Sequence, residues 1–101
     1  MPALYDYFGM IFLFYSNEHE PIHIHVRFAE YETVYELLVN NGELIALRKR
    51  KIKGKSFLPS SKSKQAEKLV IEMYEDILQK WFEFYVLHKE VEMLTITEKI
   101  K

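Results

Sequence analysis

Residues 22–28 read "IHIHVRF" and alternate without a break: Ile22, Ile24, Val26 and Phe28 fall at one parity, His23, His25 and Arg27 at the other. Successive side chains of a β-strand point to opposite sheet faces, so this pattern is a strand with one apolar and one polar face. The apolar face needs a covering layer from elsewhere in the chain. Just upstream, "SNEHEP" (16–21) holds loop formers, and Pro21 disfavours helix at Glu20, so the strand begins after it. Before that, "LYDYF" and "MIFLFY" flank Gly9 and are rich in β-favouring aromatics, which predicts a first hairpin. Downstream, "ETVYELLV" (32–39) is a further strand, and "NNG" (40–42) supplies residues that tolerate positive φ, turning the chain into "ELIALR" (43–48).

The cover arrives late in the chain. Ala66, Leu69, Val70, Met73, Ile77, Trp81, Phe84, Tyr85 and His88 recur at intervals of three and four, the mark of one helical face, and predict a long helix over 61–89. Ser60, Ser61 and Ser63 are its candidate N-caps. The segment 48–60, "RKRKIKGKSFLPS", follows neither period and reads as a basic loop joining sheet to helix. "VEMLTIT" (91–97) returns to β-branched residues and predicts a last strand. The expected architecture is α+β: a single domain over 1–101, with strands and hairpins in 1–47. Its antiparallel sheet has about five strands, and one long helix packs on the face of Ile22, Ile24, Val26 and Phe28.

Composition narrows the function classes. A chain of 101 residues buries one core, and 49% hydrophobic against 29% charged residues is the balance of a folded globule. With no cysteine, disulfides, thiolate zinc sites and thiol nucleophiles are excluded. No run reaches the roughly 20 apolar residues that span a bilayer, and "MPALYDYFGMIFLFYS" lacks the basic start and small-residue cleavage site of a secretory signal. A soluble, cytoplasmic protein without a membrane partner is the expectation. Net charge is −1, yet eight basic residues and no acid lie between Arg48 and Lys64, so the molecule carries a basic patch on an acidic body.

Three groups could carry chemistry. On a strand, His23 and His25 stand about 7 Å apart on one face and can converge on one cation, with His19 the local third ligand and Glu18, Glu20 or His88 further candidates. Such a site would take a divalent transition metal such as zinc, and a metal-activated water would make a hydrolase. The plainer alternative is a polar strand face whose histidines tune a partner interface. Arg48, Lys49, Arg50, Lys51, Lys53 and Lys55 could meet nucleic-acid phosphates or an acidic protein; without interleaved aromatics, a solvated loop is the alternative. Trp81 reads as a packing anchor whose indole N–H needs one acceptor, and His88 as a core-boundary histidine. There is no glycine-rich phosphate loop, nucleophile elbow or helical two-histidine zinc motif, and Ser16, Glu18 and His19 read as a polar loop more readily than as a nucleophile set.

The stretches "MPALYDYFGMIFLFYSNEHEPIHIHV", "NNGEL", "LPSSK" and "EKLVIEMYEDILQKW" together resemble the small bacterial family known as domain of unknown function 4160, over nearly the whole chain. The likeness is most specific at Pro21, His23, His25 and Trp81; the lysine-rich "RKRKIKGKS" departs from it. The resemblance implies no catalytic residue. It does imply a small prokaryotic protein encoded beside a second small protein, in the manner of toxin and antitoxin, and hence a protein partner or a homo-oligomer.

Overall fold

The computed structural model describes residues 2–15 and 22–100. The chain runs β1 (Ala3–Tyr7), β2 (Met10–Leu13), β3 (His23–Phe28), β4 (Tyr31–Asn40), β5 (Glu43–Lys51), α1 (Ser60–Tyr85) and β6 (Leu94–Ile96). The first five strands form an antiparallel meander, and β6 returns to lie parallel to β1, giving the order β5-β4-β3-β2-β1-β6. The sheet is therefore six-stranded and mixed, where about five antiparallel strands were expected. The difference is β6: a chain that has crossed the sheet on a helix meets the free edge of β1 in the parallel sense.

Tight turns set the registers. Tyr7 pairs with Met10 across Phe8 (φ 51°) and Gly9 (φ 86°), and Asn40 with Glu43 across Asn41 (φ 52°) and Gly42 (φ 80°). Two consecutive positive φ angles make the type I′ turn, whose twist matches that of the strands it joins. Phe28 pairs with Tyr31 across Ala29, itself at φ 53°, and Glu30. An alanine held there costs about 1–2 kcal/mol, which the six-pair β3–β4 ladder offsets.

The helix covers the face expected. Ile24 and Val26 lie with Phe12 and Tyr35 in one core cluster with Ala66, Leu69, Val70 and Ile77 of α1, all of them fully buried. Two tyrosines tether the layers: Tyr35 Oη lies 2.8 Å from Ser63 Oγ, and Tyr5 Oη donates to Asp76 Oδ2 at 2.5 Å. Burial pushes the Tyr35 hydroxyl up to about 12, and burial beside Asp76 pushes Tyr5 higher still, so both stay neutral donors. At 26 residues α1 is about 39 Å long, enough to carry the chain from β4 and β5 over to β1 and β2, where Tyr85 Oη donates to the Tyr15 carbonyl.

Three boundaries differ from expectation. Arg48 to Lys51 extend β5, so the basic loop of 48–60 shrinks to 52–59; pairing with β4 overrides the weak β-propensity of lysine. The helix starts after Pro59, with no side-chain cap from any serine, and stops at Tyr85 rather than 89. His88 thus leaves the helical stripe: it is exposed and sits in the left-handed region at φ 56°. The indole Nε1 of Trp81 is buried without an acceptor among the described residues.

Candidate functional site

The face of the sheet opposite α1 is polar. Residues paired across strands share a face, so the registers line up three rows on it: Arg48, Glu36 and His23; Arg50, Val34, His25 and Leu13; Glu32, Arg27 and Ile11. His23, His25, Glu32 and Glu36 are buried. Arg27, Arg48 and Arg50 form the solvent-exposed rim, with side-chain exposures of 41%, 65% and 45%.

Glu32 is the hub. Its Oε2 accepts from Tyr15 Oη at 2.6 Å and lies 2.9 Å from His25 Nδ1, while Oε1 accepts from Arg27 Nε at 2.9 Å. A second Arg27 nitrogen donates to the Tyr15 hydroxyl at 2.9 Å, closing a ring of three residues. The Tyr15 ring stacks on His25 at 3.7 Å between centroids, and His23 lies 5.5 Å from His25. Burial alone would raise the Glu32 carboxyl; the hydrogen bonds from Tyr15, His25 and Arg27, with the Arg27 charge, outweigh it and hold the group below its ordinary 4.5. Burial and the Glu32 contact push the Tyr15 hydroxyl up, with Arg27 opposing.

An ionised carboxylate can only accept, so His25 must present Nδ1–H to Glu32. In the neutral ring that leaves the lone pair on Nε2. A carboxylate fixing the far nitrogen of a histidine is how metal-binding and proton-transferring imidazoles are held. Glu36 repeats the device for the rim, taking Arg50 Nε at 3.1 Å and Arg48 at 3.6 Å.

Of the metal ligands read from the sequence, His23 and His25 are brought side by side; His19, with Glu18 and Glu20, lies outside the described residues. Among the described residues no group of three His, Cys, Asp or Glu side chains surrounds a metal-sized point. The basic set divides: Arg48 and Arg50 face the polar side, whereas Lys49 and Lys51 pair with Tyr35 and Thr33 on the helix side, where Lys49 sits over the Phe57 ring at 5.3 Å. Lys53 and Lys55 are exposed in the following loop. Tyr15, Glu32 and Glu36 were not singled out by sequence; the signal for the glutamates is their parity with His23 and His25 once Ala29–Glu30 is recognised as a two-residue turn.

A two-layer α+β domain, with one helix on a mixed sheet and a histidine–carboxylate network on the outer sheet face, is the class defined here. The chain belongs to the family described as domain of unknown function DUF4160, whose model matches residues 9–82. That span holds the whole polar network and leaves out β1, most of the last helical turn and β6. No curated protein and no solved structure matches the chain. Among the described residues no helix is long and apolar enough to cross a membrane.

Proposed function

We propose that this protein is a binding module for an acidic protein partner, acting in the cytoplasm as one half of a two-gene regulatory pair of the toxin–antitoxin kind. The observation that carries this reading is the arginine rim. Three guanidinium groups stand around two carboxylates, Glu32 and Glu36, so positive charge is in local excess at this cluster and already fixed in place, while Asp6 and Glu43 lie elsewhere on the same face. Preorganised arginines lose little entropy on binding and steer an acidic surface onto the face. The test is affinity capture from the native host at low and high salt, with wild type and Arg50→Gln. A stoichiometric protein whose capture weakens with salt, and about tenfold in the variant, is the expected result. Capture indifferent to Arg50, or material removed by nuclease, would overturn it; the second outcome would transfer the function to nucleic acid.

A second reading rests on the Glu32–His25 contact. With Nδ1 held by a carboxylate and His23 5.5 Å away, the two imidazoles could share a divalent transition metal such as zinc at about 2 Å from each nitrogen. A ligand beyond this pair would have to complete the shell, and a bound water would then serve hydrolysis. Saturable binding of Zn, Ni or Mn that disappears in His23→Ala/His25→Ala is the expected outcome. Equal, weak titrations of both proteins would retire this reading.

A further inference from the structure

The outer edge of β5 ends the sheet, and no described strand pairs with it. Edge strands are normally kept from pairing by charge, proline, shortness or a β-bulge. β5 is nine residues long; charge protects it at Arg48–Lys51, and in the other half the single irregularity at Ile45 is what interrupts the edge. The other half carries Leu44, Ile45, Ala46 and Leu47. Ile45, at 63%, has the highest exposure of any large hydrophobic side chain in the described residues. Behind this half lies an open groove of about 270 Å³, lined by Leu44 to Leu47 with Glu67 and Ile71 of α1.

The sequence of this half strand is complementary to its own reverse. Run antiparallel to a second copy, Glu43-Leu44-Ile45-Ala46-Leu47-Arg48 sets Glu43 against Arg48, Leu44 against Leu47 and Ile45 against Ala46, each pair occurring twice. The faces agree as well. A regular strand would put residues three apart on opposite faces, but the irregularity opposite Leu38 and Val39 adds one residue to β5. Leu44 therefore pairs with Val39 and Leu47 with Leu37 on the helix face, while Glu43 pairs with Asn40 and Arg48 with Glu36 on the outer face. Leucine meets leucine over the groove, acid meets base on the other side, and the large Ile45 is opposed by a small residue. A register centred on Lys49 would instead oppose like charges, so this one is favoured.

We propose that a second copy of the chain docks on β5 in this register, giving a two-fold dimer with one continuous sheet. The two-fold axis runs perpendicular to the sheet, so both helices lie on one side and both arginine-rimmed faces on the other. The Lys49–Lys51 ends overhang the pairing and keep it from extending further. The proposal stands whether or not the outer face takes a partner.

The chain has no cysteine, which makes the register directly testable. Leu44→Cys and Leu47→Cys are purified separately, then oxidised alone and as a mixture. The proposed register brings residue 44 next to 47 of the other copy and not next to 44. A disulfide-linked dimer confined to the mixture is expected, with wild-type protein sedimenting as a dimer. Ile45→Lys, at a site too exposed to matter for the monomer fold, should weaken dimerisation at least about tenfold. A wild-type monomer at concentrations up to about 1 mM, or equal cross-linking in the single-variant samples, would overturn the proposal.

Discussion

Replacing Glu32 with alanine will destabilise the protein by about 3–5 kcal/mol, the range for removing one partner of a buried ionic network. The carboxylate is 4% exposed and satisfies three donors at once: Tyr15 Oη, His25 Nδ1 and Arg27 Nε. Its loss takes the acceptor from three donors at once, one of them on the buried His25 ring, so the cost includes desolvation as well as three missing bonds. Acid will do gradually what the substitution does at once. The folded-state carboxyl titrates below 4.5, its unfolded value, so its contribution is complete above that value and fades as pH falls through the lower folded value. Urea unfolding across the acid range should show wild type losing stability as pH drops through that window. Glu32→Ala should start lower and follow a flatter curve. Parallel curves would mean that Glu32 is not the ionised hub of the face.

How much of this site was legible depended on turn chemistry. The alternation of 22–28 gave the strand and both its faces, and the three-and-four spacing after residue 60 gave the layer that covers one of them. The glycine turns at 8–9 and 41–42 announced themselves because Gly9 and Gly42 stand where positive φ is needed. The turn at Ala29–Glu30 did not: neither residue favours the conformation, and only the β3–β4 ladder enforces it. Without that turn the register is unknown, so Glu32 and Glu36 could not be placed beside Arg27 and His23, and the histidines looked like a pair in search of a third ligand. The basic stretch was misjudged for a related reason. Strand pairing at Arg48–Lys51 comes from tertiary contact with β4 and splits the charges between two faces, which a linear count cannot show. β6 was foreseen as a strand, but its parallel sense depends on where the helix delivers the chain.

Leu69→Ala will cost about 2–5 kcal/mol, the range for deleting a large aliphatic side chain from a packed core. Leu69 is fully buried in the middle of the α1 stripe, in the cluster that contains Ile24 and Val26, and it has no polar role that could complicate the result. Where in the range the value falls depends on how far the cavity can collapse, and here the room is small: the cavity is enclosed between a sheet face and a helix tethered at Tyr5–Asp76 and Tyr35–Ser63. A value in the upper half is therefore expected. Glu72, exposed on the same helix, supplies the control: Glu72→Ala should stay within about 0.5 kcal/mol. Pairing Leu69→Ala with Val26→Ala should give a total that departs from the sum of the single costs, because truncations on the two sides of one core share the space they open. Strict additivity would mean that the helix does not press on the Ile24 and Val26 face, and with that the separation between a structural apolar face and a working polar one would fail.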